Sequence, residues 1–130
     1  MSLLRPLVAA DLDSMSTLVT QWTLEGAEQA FIHWDSKKLA LALQNSNSLG
    51  LLDSTHTLLG FVIYQSLGEE ADIHLIVSGR GQARKGIGQT LIAVLKDQYL
   101  RLTLEVHEQN FIANNFYRKQ GFKLDGQRPN

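Results

Sequence analysis

Apolar and polar residues change period several times along the chain, and each change marks an element. Leu100, Leu102, Leu104 and Val106 alternate with Arg101, Thr103, Glu105 and His107, the pattern of a half-buried strand. Asp72 to Val77 alternates too. Ile73, Leu75 and Val77 are expected on one face of that strand, with Asp72, His74 and Ile76 on the other. Between the two strands, Ile87, Leu91, Val94 and Leu95 recur at helical spacing. Upstream, Leu12, Met15, Leu18, Val19 and Trp22 predict a helix with Asp11 as its N-cap. Asp35 or Ser36 opens another through Leu39, Ala40 and Leu43, and Asn45 to Ser48 is a stop and turn. Leu3 to Val8 predicts a short strand that Pro6 confines to an edge. Leu49 to Leu52 and Leu58 to Gln65 predict a hairpin around Asp53 to His56. Asn110 to Gln120 is helical, Gly121 sits at its C′ position, and a further strand begins at Phe122.

The order is strand, helices, strand meander, helix, strand, helix, strand. A meander favours antiparallel pairing, whereas strand–helix–strand crossovers favour parallel pairing. The expected fold is therefore α/β (mixed α+β): one domain over residues 1–130, with a mixed central sheet and helices on both faces.

Composition narrows the function classes. Hydrophobic residues make up 44% and charged residues 19%, as expected of a globular chain. The net charge of −1 supplies no general field for nucleic acid or an anionic membrane. No apolar run reaches membrane-spanning length. Cysteine is absent, which removes disulfides, thiolate nucleophiles and cysteine metal sites and is compatible with the cytoplasm. The four histidines are dispersed without metal-ligand spacing, so no metal is expected.

The richest segment is Gln82-Ala83-Arg84-Lys85-Gly86-Ile87-Gly88, which runs straight into the helix of Ile87 and Leu91. The first N–H groups of a helix lack internal partners, and its dipole adds positive charge there. Such a start can hold phosphate, and Arg84 and Lys85 add full charges beside it. A Walker A loop is excluded, because Ile87 and Gly88 stand where Lys and Ser or Thr are required. A dinucleotide fingerprint is excluded as well, because Leu91 occupies its third glycine position. A helix that merely follows a solvated basic loop is the alternative reading.

Two blocks together resemble the GNAT superfamily of acetyl-CoA-dependent N-acetyltransferases. One is the strand, turn and helix from Asp72 to Leu95. The other is Leu104-Glu105-Val106 through Asn110, Ala113, Phe116-Tyr117 and Gly121-Phe122. With Gly60-Phe61, the likeness extends over residues 5 to 126. Within the superfamily, the ribosomal-protein alanine N-acetyltransferases look most similar, through His33-Trp34-Asp35-Ser36 and Arg128-Pro129-Asn130.

The resemblance implies acetyl transfer from acetyl-CoA to a primary amine, either a protein N-terminus or a small amine. It places the cofactor along Ile76 and Val77, with its diphosphate on Gln82, Arg84, Lys85, Gly86, Ile87 and Gly88. Asn110 is implied at the pantetheine amides, or else as a helix cap. Glu105 is the implied general base and Tyr117 the general acid. His74 is a rival base, since histidine titrates near neutrality. Ala83 stands where the family usually has Gln or Arg, and Gln82 is expected to compensate. The family also continues into a final C-terminal strand, whereas this sequence stops at Asn130. An uncovered sheet edge would invite a homodimer.

Overall fold

The computed structural model describes residues 3–24, 34–79, 86–104 and 117–122. Strand β1 (Leu3–Arg5) leads through a 3₁₀ turn (Ala9–Asp11) into helix α1 (Leu12–Leu24). Helix α2 (Ser36–Asn45) follows, then β2 (Asn47–Leu52), β3 (Leu58–Leu67) and β4 (Glu70–Ser78). Helix α3 (Ile87–Gln98) crosses over to β5 (Arg101–Leu104). The sheet order is β1-β2-β3-β4-β5. The first four strands pair antiparallel, and β4 pairs parallel with β5. The mixed sheet expected from the element order is present.

Two apolar cores form on its two faces. Met15, Leu18, Val19 and Leu39, from α1 and α2, pack on Phe61, Ile63, Leu75 and Val77. On the other face Ile87, Leu91, Ile92 and Leu95 of α3 pack on Val62, Tyr64, Ala71 and Ile73. Leu91, Ile92 and Leu95 are fully buried, each stabilising the helix–sheet contact by about 1.5–3 kcal/mol. Ile92, rather than Val94, completes the buried stripe of α3. Tyr99, just past α3, ties the crossover to the sheet by donating its hydroxyl hydrogen bond to Ser66 Oγ at 3.0 Å.

Several local expectations need correction. Ile73 and Leu75 lie on opposite faces, not on one. Ile63 pairs with Leu75 while the next residue, Tyr64, pairs with Ile73, so His74 is an extra residue in β4. That bulge inverts the alternation: Ala71 and Ile73 join the α3 core, and Leu75 and Val77 join the α1–α2 core. Leu100 precedes β5 and is 83% exposed; its N–H bonds to Glu69 O. The turn after α2 is confined to Ser46, because Asn47 and Ser48 already pair with Tyr64 and Ile63. Asp35 does cap α2, accepting from Lys38 N at 2.9 Å.

Asp11 does not cap α1 in the expected way. Its carboxylate turns back instead, accepting from Val8 N at 2.8 Å and from both terminal nitrogens of Arg5 at 2.8 and 2.9 Å. The 3₁₀ turn places Asp11 in position to close on the residue three before it. The hydrogen bond from Arg5 holds this buried carboxyl below the usual carboxylate range. A folded-state pKa below the unfolded one stabilises the fold above the unfolded value of about 3.9, and the gain is lost as pH falls through the folded value. Asp11→Asn is therefore expected to cost about 1.5–3 kcal/mol at neutral pH. The same variant should lose less stability than the parent on acidification through the carboxylate range. Urea unfolding over that range checks both.

Candidate active site

The site is built where β4 ends and α3 begins. Gly86, the N-cap of α3, has φ 74° and ψ 24°, a left-handed conformation that glycine takes without a Cβ penalty. It offers no side-chain cap, and no acidic residue occupies the first turn. The Gly86 carbonyl accepts from Thr90 N and from Thr90 Oγ1, both at 2.9 Å. The helix thus starts cleanly, and the N–H groups of its first turn, at Ile87 and Gly88, point out of its end. Close packing fixes where that end lies. A Cβ on Gly60 would stand 2.6 Å from Ile87 Cγ2 and 2.7 Å from Val77 O, so this glycine lets α3 start directly against the sheet.

The other expected cofactor residues divide. Val77 is 2% exposed and Ile87 7%, and both side chains belong to the cores. Each therefore offers a ligand only its peptide groups. Ile76 is half-buried against the α3 core. Gln82, Arg84, Lys85, Asn110 and Glu105 lie outside the described residues.

Tyr117 sits in a short helical turn that closes as expected at Gly121, whose φ is 96°. Gln120 N and Phe122 N both bond to Tyr117 O, at 3.1 and 3.0 Å. The Tyr117 ring meets Phe122 edge to face, with centroids 5.7 Å apart. Burial raises the phenol well above its ordinary pKa, so it keeps its proton at any physiological pH.

His74, the rival base, meets Asp72 as their expected shared face implies, and Thr103, which sequence reading missed, joins them. Its Nε2 lies 3.5 Å from Asp72 Oδ2. The other oxygen of that carboxylate, Oδ1, accepts from Thr103 Oγ1 of β5 at 2.7 Å. The only local signal was the Asp72-x-His74 spacing. Thr103 joins through the parallel register that sets it opposite Asp72. Among the described residues, no group of three or more His, Asp or Glu could hold a metal. No described helix is long and apolar enough to cross a membrane.

The family model for the acetyltransferase (GNAT) family matches residues 9–122. The chain belongs to that family. Peptidyl-lysine N-acetyltransferase YiaC of Escherichia coli K12 is 36% identical over 67 residues, 52% of this chain and 44% of that enzyme. The match thus spans less than half the length of this curated relative. Among solved structures, PaiA N-acetyltransferase of Thermoplasma acidophilum, in complex with coenzyme A, is similar with a TM-score of 0.76 at 22% identity. That match covers 98% of this chain and 93% of PaiA. A ribosomal-protein-alanine N-acetyltransferase of Brucella melitensis biovar Abortus 2308 also gives 0.76, at 21% identity, over 99% of this chain and 96% of its own. At these identities both share the GNAT fold.

Proposed function

We propose that the protein transfers acetyl from acetyl-CoA to a primary amine. The observation that carries this reading is the uncapped start of α3 at left-handed Gly86, set against the end of β4 in a GNAT chain. The amide N–H groups of Ile87 and Gly88 would donate to the diphosphate, with Gln82, Arg84 and Lys85 closing around it. Peptide groups of Ile76 and Val77 would run beside the pantetheine arm, and Asn110 would meet its amides. The amine attacks the thioester carbonyl and gives up a proton to Glu105, the base implied by family likeness, or to His74. Tyr117, which burial keeps protonated, then gives its proton to the departing thiolate.

The preferred acceptor is an α-amine. Its pKa of about 7.7–8.0 leaves a usable neutral fraction near pH 7, whereas lysine at about 10.4 is almost wholly protonated. Thiol release from acetyl-CoA should therefore be compared over peptides with free N-termini, N-blocked lysine peptides and spermidine. Calorimetry with CoA runs alongside. Turnover with a free N-terminus well above that with lysine is expected. Binding of CoA without turnover on any amine would instead mark a non-catalytic acyl-CoA module, and absence of CoA binding would end the cofactor reading.

A further inference from the structure

Lys96, the basic residue in the last turn of α3, reaches across to the turn that carries Tyr117. Its Nζ donates to the carbonyl oxygen of Gln120, a partner 24 residues away in sequence. That carbonyl lies at the end of its helical turn, where backbone acceptors have no helical N–H ahead of them. Gly121 turns the chain left-handed directly afterwards, at φ 96°. A lysine from elsewhere can supply the missing donor at such an end. A Cβ built on Gly121 would lie 3.7 Å from Lys96 Nζ, so the ammonium sits over the corner itself.

The tie passes to Tyr117 through the backbone. Gln120, whose carbonyl Lys96 holds, donates its own N–H to Tyr117 O at 3.1 Å, and Phe122 N donates to the same oxygen at 3.0 Å. Phe122 is a second attachment, since its ring packs against the α3 core and meets the Tyr117 ring edge to face. The two attachments do different work. Apolar packing is non-directional and keeps the turn close to α3. The hydrogen bond from Lys96 is directional and fixes how the turn is rotated there.

From this geometry we infer that Lys96 is a positioning residue for Tyr117, holding its turn in one orientation relative to α3. The inference rests on the reading of Tyr117 as the acid of acetyl transfer. Both ends of α3 then serve one site. The first turn, after Gly86, would take the diphosphate, and the last turn sets the acid. Ile87 and Lys96 are about 14 Å apart along the helix axis. Leu91, Ile92 and Leu95 lie fully buried between them and keep the helix fixed on the sheet. A turn held by Phe122 alone would stay folded but spread the phenol over several orientations. Proton transfer needs the heavy atoms within about 2.6–3.2 Å, so the rate would fall while cofactor binding stayed.

The Lys96 side chain is exposed, so replacing it leaves both apolar cores intact. Methionine keeps the unbranched stem and removes the donor, and arginine keeps a cationic donor. The test is steady-state thiol release by the full chain, with acetyl-CoA and the best acceptor of the panel, beside urea unfolding of each variant. Lys96→Met should lower kcat by about three- to tenfold, with the KM for acetyl-CoA within about twofold and the urea midpoint little changed. Lys96→Arg should restore the rate to within about twofold of the parent. In the Tyr117→Phe background, Lys96→Met should add nothing, because the group it positions is gone.

Parental kcat in Lys96→Met, with Tyr117→Phe slow, would overturn the inference and leave the acid reading standing. The same fold loss in the presence and absence of the Tyr117 hydroxyl would overturn it too, since Lys96 would then act by another route. Parental kcat in Tyr117→Phe would remove the acid reading and the inference with it.

Discussion

Tyr117→Phe is expected to lower kcat by two to four orders of magnitude while changing CoA affinity less than about threefold. The phenylalanine ring keeps the edge-to-face contact with Phe122, and the backbone bonds from Gln120 and Phe122 do not involve the hydroxyl. The substitution removes the phenolic proton. Burial raises this phenol's pKa, so it enters the reaction protonated. Without it, the thiolate must depart unprotonated or wait for water. Stopped-flow thiol release and calorimetry measure the two quantities separately. A fall in CoA affinity in step with kcat would mean that Tyr117 shapes the pocket and takes no part in the chemistry.

The second large effect belongs to Gly86. Asparagine and aspartate are the side chains best tolerated in the left-handed conformation, at a cost of about 1–2 kcal/mol. Among the described residues a Cβ at Gly86 would meet Gln89 Oε1 alone, at 3.8 Å, so the added Cβ has room. The two residues are close to isosteric and differ by one negative charge. If the start of α3 faces the CoA diphosphate, Gly86→Asp should weaken CoA binding by about 100-fold, and Gly86→Asn by about tenfold or less. The difference between the variants should shrink at high salt, as a screened charge repulsion must. Equal affinities for the two variants would place the diphosphate elsewhere.

Much of the framework was legible because its signals are local. Gly86 precedes a periodic apolar stripe, Asp35 precedes another, and Gly121 follows a third; each needs only its own neighbours to act. The layering could be read from the change of period, since a strand–helix–strand unit has few ways to pack. The bulge could not. Ile73, Leu75 and Val77 look like one uniform face because both sides of β4 are covered by apolar helices, and burial on two sides erases the contrast between faces. Leu100 extended the alternation of β5 one residue too far, since nothing in the sequence shows that its N–H belongs to the Glu69 carbonyl. The partnership of Asp72 with Thr103 spans 31 residues and depends on parallel register, which no short-range pattern fixes. Glu105 was singled out by likeness and the basic loop by its own residues, and both lie outside the described residues.

The extra residue in β4 has a consequence for how this chain is matched to others. Upstream of His74 the odd-numbered side chains serve one helix layer, and downstream they serve the opposite layer. An alignment with a uniformly pleated strand must open its gap at position 74. Placed anywhere else, the gap would equate inward residues with outward ones and make compatible chains look mismatched.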